Sequence, residues 1–305
     1  MMNKTLPIVV LSLAMIVLIS GCTMPGTTRE VRVSSTDGLV INEFSSDITR
    51  YEDTEPVSLY LEIENVGGTT AKDVNVSIKG APWDSTPNPT DKLLEFEPPD
   101  LAPVPPVPGE FKIFGWDLDP YTEVPQGVEL PVILTSRIEY NYSNNGVTQI
   151  PVINREEYKR RLALGLEIPS SPNVTNTRGP IHIDIDPRGL PIIIKPGETE
   201  QASLRLYIKN VGTGAPIKGY DIGNITIGLD LISNLDAEFA NCLGATSGTH
   251  ASQEKILRRG ESITIPCVIN ITSAPTLYDY ISIVFKTDYR YYIEQPLTVT
   301  IVGTE

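Results

Sequence analysis

One pattern occurs twice in this chain, 145 residues apart, and it limits the fold more than any other feature. Leu59-x-Leu61-x-Ile63-x-Asn65-Val66-Gly67 recurs as Leu204-x-Leu206-x-Ile208-x-Asn210-Val211-Gly212. Upstream, GLVINEF at 38–44 matches GPIHIDI at 179–185, and downstream the segment around Ile138, Tyr140 and Tyr142 matches Tyr289 and Tyr291 more loosely. Three landmarks in the same order imply a duplicated domain.

Within each copy the apolar residues alternate. Val57, Leu59, Leu61 and Ile63 share one face while Ser58, Tyr60, Glu62 and Glu64 share the other, which predicts a half-buried antiparallel strand. Val74, Val76 and Ile78 repeat the pattern after the Val66-Gly67-Gly68 turn, so the pair reads as a hairpin-like unit. Short strands punctuated by Gly, Pro and Asn turns make the chain all-β, with two tandem Ig-like β-sandwich domains as the expected architecture. The expected layout is a leader at 1–21, a tether at 22–35, sandwiches at 36–153 and 179–305, and a short helix with linker at 154–178.

The strand-Asn-Val-Gly-turn-strand signature, about 25 residues in each copy, resembles the cell-adhesion-related and S-layer-associated Ig-like domains of archaeal and bacterial surface proteins. That resemblance implies a noncatalytic surface module and transfers no functional residues.

The first 21 residues read as a targeting segment: Lys4, an apolar run from Leu6 to Ile19, then Ser20-Gly21 before Cys22. The uninterrupted apolar run from Ile8 to Ile19 is well short of the ~20 residues that cross a bilayer. Ile19-Ser20-Gly21-Cys22 resembles the lipobox of prokaryotic lipoproteins, which implies cleavage before Cys22 and lipid on its sulfur. An ordinary secretory peptide that leaves a cysteine at its end also fits the small-residue rule. Both place the mature chain outside the cytoplasm, and the lipobox places it on the extracellular face of the membrane, anchored through Cys22. Cys242 and Cys267 then remain as an even pair in an oxidising compartment, expected as a disulfide contributing roughly 3 kcal/mol; free thiols are the alternative.

Cleavage would remove Lys4 and leave 23 basic against 38 acidic side chains, a net charge of −15. Nucleic acid and anionic membrane surfaces are therefore poor partners. Between the copies, NREEYKRRLALG at 154–165 predicts a helix capped by Asn154 and ended by Gly165, with Glu156–Arg160 and Glu157–Arg161 pairs, packing through Tyr158 and Leu162. The following residues, 166–178, read as linker. EPPDLAPVPPVPGEF at 97–111 cannot be a central strand and reads as a stiff extended excursion covering a sandwich edge.

Glycosylation sequons stand at Asn75, Asn141, Asn173, Asn224 and Asn270; alternation points four of them away from the apolar face, and Asn173 falls in the linker. Together with the lipobox they point to an archaeal surface. His182, Asp184 and Asp186 share one strand face and are the weak metal candidates, although a solvated strand face explains them as well. The other histidine, His250, is in no nucleophile motif, and Gly212-Thr213-Gly214 lacks the rest of a phosphate cradle. Tyr289 and Tyr291 have core parity, whereas Tyr60, Tyr207 and Tyr292 have exposed parity; Trp83 and Trp116 cannot be placed. No cofactor is expected. The expected function is a noncatalytic, lipid-anchored envelope protein for adhesion or surface-layer or filament assembly, with envelope proteins or glycans as partners. The alternative is a carbohydrate- or solute-binding accessory lipoprotein of a transporter or secreted enzyme, marked by exposed aromatics in a concave site.

Overall fold

The alternating segments fold as strands in the computed structural model, which describes residues 30–81, 94–170, 172–218 and 221–304. The first copy supplies β1 (Leu39–Ser46), β2 (Arg50–Glu52), β3 (Val57–Asn65), β4 (Ala71–Lys79), β5 (Leu94–Phe96), β6 (Phe111–Leu118) and β7 (Glu129–Asn154). After helix α1 (Arg155–Leu164) and β8 (Asn173–Asn176), the second supplies β9 (Ile181–Pro187), β10 (Ile192–Ile194), β11 (Glu200–Asn210), β12 (Ala215–Lys218) and β13 (Asp221–Ile222). It ends with β14 (Asn224–Ile232), β15 (Ala237–Asn241), β16 (His250–Ile256), β17 (Ser262–Ile271) and β18 (Tyr278–Val302). The architecture is all-β with one short helix. Residues Arg32–Glu305 form one compact unit. Cys22 and Trp83 lie outside the described residues.

Burial follows parity. Val57, Leu59, Leu61 and Ile63 of β3 are buried, as are Leu204, Leu206 and Ile208 of β11. The predicted hairpin between β3 and β4 is not formed. β3 pairs with β1 and β6, whereas β4 pairs with β5 and β7. Alternation marks which face of a strand is buried, but a strand facing its neighbour across the core shows the same pattern as one bonded beside it. The Val66-Gly67-Gly68 turn therefore carries the chain from one layer of the sandwich to the other.

Two small sheets, β1-β3-β6 and β15-β17-β11-β9, lie apart from one eleven-stranded sheet built around β7 and β18. These two long strands run antiparallel and pair residue for residue from Tyr278↔Ile153 to Val302↔Glu129, 25 consecutive pairs. At about 3.3 Å per residue the ribbon is about 80 Å long. Residues 135–141 of β7 pair with β4 in the first copy, but its far end pairs with β10 of the second, Ile192↔Val152. The reverse holds for β18: it starts against β14 of the second copy and ends against β2 of the first, Thr300↔Arg50. Each copy thus lends the far end of its last strand to the other.

Asn144-Asn145-Gly146 carries hairpin-turn chemistry, yet β7 runs straight through it. Gly146 is needed there for close approach: a Cβ on it would lie 2.2 Å from both the Phe285 ring and the Thr175 carbonyl oxygen.

The helix forms as expected, with Asn154 Oδ1 accepting from Glu156 N at 2.9 Å and Gly165 left-handed at φ 63°. Its packing differs. Leu162 is 57% exposed, and Glu157 is the residue turned inward. Glu157 takes both Arg160 (2.6 Å) and Arg161 (2.8 Å), while Glu156 pairs with Lys159 at 3.0 Å. The Arg160 and Arg161 guanidiniums hold the Glu157 carboxyl down at about 2. The presumed linker contains β8, paired with residues 146–149 of β7; four mostly polar residues are too few to show an alternation. Cys242 and Cys267 are joined as a disulfide with Cα atoms 4.4 Å apart, tying the end of β15 to β17.

Candidate functional site at the repeat junction

The internal symmetry centres on four tyrosines. Tyr140 lies opposite Tyr291 and Tyr142 opposite Tyr289 in the β7–β18 register. All four are buried, with neighbouring ring centroids 5.8 to 6.2 Å apart. Each hydroxyl has a partner, as buried phenols require. Tyr140 Oη accepts from Leu39 N at 3.3 Å, and Tyr142 Oη accepts from Gly68 N and Thr69 N at 3.0 and 3.2 Å. Tyr291 Oη donates to Asn210 Oδ1 at 2.9 Å, and Tyr289 Oη donates to Asn144 Oδ1. Burial pushes Tyr140, Tyr289 and Tyr291 well above the usual phenol range.

Around this cluster the repeated motif does the same work twice. Asn65 Oδ1 accepts from Gly67 N at 3.0 Å, and its amide donates to Thr69 O at 2.9 Å and Phe96 O at 2.8 Å. Asn210 accepts from Gly212 N at 3.2 Å and donates to Gly214 O at 3.0 Å. Both asparagines are buried, so the motif is a clamp on the inter-layer turn. Asn65→Ala would leave the Thr69 and Phe96 carbonyls short of a donor and take from Gly67 N one of its two acceptors, the other being Gly38 O at 3.1 Å, and is expected to lower stability by about 2–4 kcal/mol. Asn65→Asp should also destabilise the fold, because it keeps the acceptor and loses both donors. Urea unfolding of the two variants checks this; a midpoint unchanged in both would remove the clamp.

The N-terminal segment straps the two copies together at the same place. Ser34 N donates to Val66 O at 2.8 Å in the first copy. Ser35 O lies 2.9 Å from His182 Nε2 and accepts from Gly179 N at 3.3 Å in the second. Residues 34 and 35, read from sequence as the end of a tether, are thus fixed.

On the outer face of the large sheet, over the same centre, lies an open groove of about 630 Å³. Lys72, Asn141 and Ser143 line it from the first copy, and Lys218, Asn224, Thr226, Glu254, Lys286, Asp288 and Arg290 from the second. Lys218 Nζ lies 3.1 Å from Glu254 and Lys286 Nζ 2.8 Å from Asp288. The Lys218 ammonium holds the Glu254 carboxyl below the usual range. Both carboxylates of the groove are therefore tied to lysines, which makes them poor bases. The groove is suited to hold a polar, charged ligand by hydrogen bonds and ion pairs. Its lysines Lys72 and Lys218 sit at nearly equivalent positions of the two repeats, a signal present in the sequence but invisible until the repeats are aligned through their clamps.

Asn141 and Asn224, two of the sequon asparagines, line this groove, with Asn141 Nδ2 donating to Asp73 Oδ2 at 2.6 Å and Asn224 Nδ2 to Glu254 at 3.0 Å. Asn75 is exposed on β4, Asn270 is half-buried on β17, and Asn173 opens β8. His182, Asp184 and Asp186 do alternate with buried Ile181, Ile183 and Ile185. They are not brought together as ligands: among the described residues no group of three or more His, Cys, Asp or Glu is placed to hold a metal ion. His182 contacts Ser35, and His250 pairs with its cross-strand neighbour Asp230 at 2.8 Å, both exposed. Tyr60 and Tyr207 are half-buried, as is Tyr292, which lies under the Arg137 guanidinium 4.0 Å from its ring centroid. Trp116 is buried in β6 and stacked on Phe114.

No family model and no curated protein matches the chain. Among solved structures, the collagen binding domain of Erysipelothrix rhusiopathiae surface protein RspB aligns at 7% identity and a TM-score of 0.13, covering 90% of this chain and 97% of its own. The collagen adhesin CNA from S. aureus aligns at 12% identity and a TM-score of 0.11, covering 90% and 96%. Both scores are far below the level at which a shared fold can be argued. Among the described residues no helix is long and apolar enough to cross a membrane.

Proposed function

We propose that this chain is a noncatalytic cell-envelope protein, held at the extracellular face of the membrane by lipid on Cys22, that presents two coupled Ig-like sandwiches for adhesion or for assembly of a surface layer or filament. The observation that carries the reading is the β7–β18 ribbon. Two independent sandwiches on a linker would flex, whereas two that exchange their last strands keep a fixed spacing between their loops and edges. Fixed spacing serves display and lateral assembly, where a partner must be met at two places at once. The sequon at Asn75, exposed on β4, suits a glycosylated surface in contact with the medium.

The groove favours a second reading, capture of a charged saccharide or solute, because its Lys72, Lys218 and Arg290 offer donors in an otherwise acidic chain. Cross-linking on intact cells, with mass spectrometry of the purified protein, separates the two. Links to an envelope or filament subunit together with lipid on Cys22 are expected. Links confined to a permease or secreted enzyme would favour the second reading, and an unmodified Cys22 would remove the anchor.

A further inference from the structure

The Pro-rich excursion and the N-terminal strap meet at one turn. Asn65 N donates to Glu110 O at 3.0 Å, at the root of the excursion, and the next residue's carbonyl, Val66 O, accepts from Ser34 N at 2.8 Å. The excursion is a clipped finger that leaves from β5 and returns to β6, each an end strand of its sheet. Glu110 N donates to Glu97 O at 2.9 Å, and farther out Asp100 and Val107 exchange two backbone hydrogen bonds at 3.0 and 2.8 Å.

Its tip, residues 101–107, reads Leu-Ala-Pro-Val-Pro-Pro-Val and carries no charge. Leu101 and Val107 are each 51% exposed and Val104 is 97% exposed. The tip also has few backbone donors: three of its seven residues are prolines, Ala102 N bonds Asp100 Oδ1 at 2.9 Å, and Val107 N is used in the clip. Such a loop has fewer N–H groups to strip on leaving water, while its carbonyls favour the hydrated interface over the hydrocarbon core. Among the described residues the second copy has no counterpart. At the equivalent place Asn210 N meets Glu261 O at 3.1 Å, and a short turn at residues 257–261 with buried Leu257 stands in place of the finger.

We propose that residues 101–107 form a membrane-contacting finger, which sets Leu101, Val104 and Val107 into the interface of the bilayer beside the anchor. The proposal rests on lipid attachment at Cys22. The twelve residues from Cys22 to Ser34 reach at most about 40 Å, so the anchor keeps the turn that holds both the strap and the root of the finger within that distance of the lipid surface. Glu97, Asp100 and Glu110 at the root make a zwitterionic surface a better partner than an anionic one.

The test couples the mature chain through its one free thiol, Cys22, to a maleimide phospholipid in phosphatidylcholine vesicles, with V104W as reporter and the parent chain as background. The tryptophan emission is expected to shift to the blue on coupling and to fall by about half with lipids brominated near the headgroup end of the acyl chain. V104W with L101D should lose both signals while remaining coupled. Emission unchanged between coupled and free V104W chain overturns the finger, and would be the outcome if the loop instead serves a protein partner. Because the coupling is chemical, this result stands apart from mass spectrometry of native Cys22, which alone judges the anchor.

Discussion

A chain stopped after Gln295 is expected to unfold in its first repeat, although the deletion removes the end of the second. Residues 296–305 contribute Val299 and Ile301, 0% and 1% exposed. They also supply the strand between β7 and β2, and the Thr304 hydroxyl that donates to buried Asp53 at 2.6 Å. Losing two fully buried aliphatic side chains alone removes about 3–6 kcal/mol, before counting the uncovered faces of Val132 and Leu134. That approaches the whole stability of an ordinary domain. Hydrogen exchange reads the result by strand: amides of β1, β3 and β6 should lose protection while those of β9, β11 and β17 retain most of theirs. Protection lost in the second set and kept in the first would mean that the strands are not exchanged.

The second large effect appears in alkali. Tyr140, Tyr289 and Tyr291 are held neutral by burial, so their folded-state pKa values lie above the ordinary phenol value of about 10. Between that value and their raised ones the unfolded chain gives up protons that the folded chain keeps. Stability is therefore fully present below about pH 10 and falls as pH rises beyond it, by about 1.4 kcal/mol per group per pH unit, or about 4 kcal/mol for the three. Denaturant midpoints at pH 9, 10 and 11 test this, with Tyr140→Phe expected to flatten the decline by about a third. A midpoint constant from pH 10 to 11 would show that the cluster opens to water without unfolding.

How far the sequence speaks depends on which contacts are local in pattern. Strand faces were legible at Leu59, Leu61 and Ile63 because a period of two survives whatever lies opposite. Layer assignment was not, since Val74 and Val76 alternate in the same way beside a neighbour or across a core. The clamp was visible as the recurring Asn65 and Asn210, but its function needed Thr69 O and Phe96 O, the second far away in the chain. The unbroken course of β7 was hidden by Asn144-Asn145-Gly146, where a glycine required by Phe285 looks like one required by a turn. The groove left only one trace, Lys72 and Lys218 at nearly equivalent repeat positions, because the rest of its lining, from Thr70 to Arg290, shares no spacing.

The exchanged strands also set the order in which the molecule can be completed. A ribosome finishes Asn154 roughly 7–30 s before it finishes Val302, at about 5–20 residues per second. Throughout that interval the first repeat has its own long strand but not the one that closes it. The first repeat therefore cannot mature early, and the newborn chain stays pliable until the strand that ends at Val302 has been added.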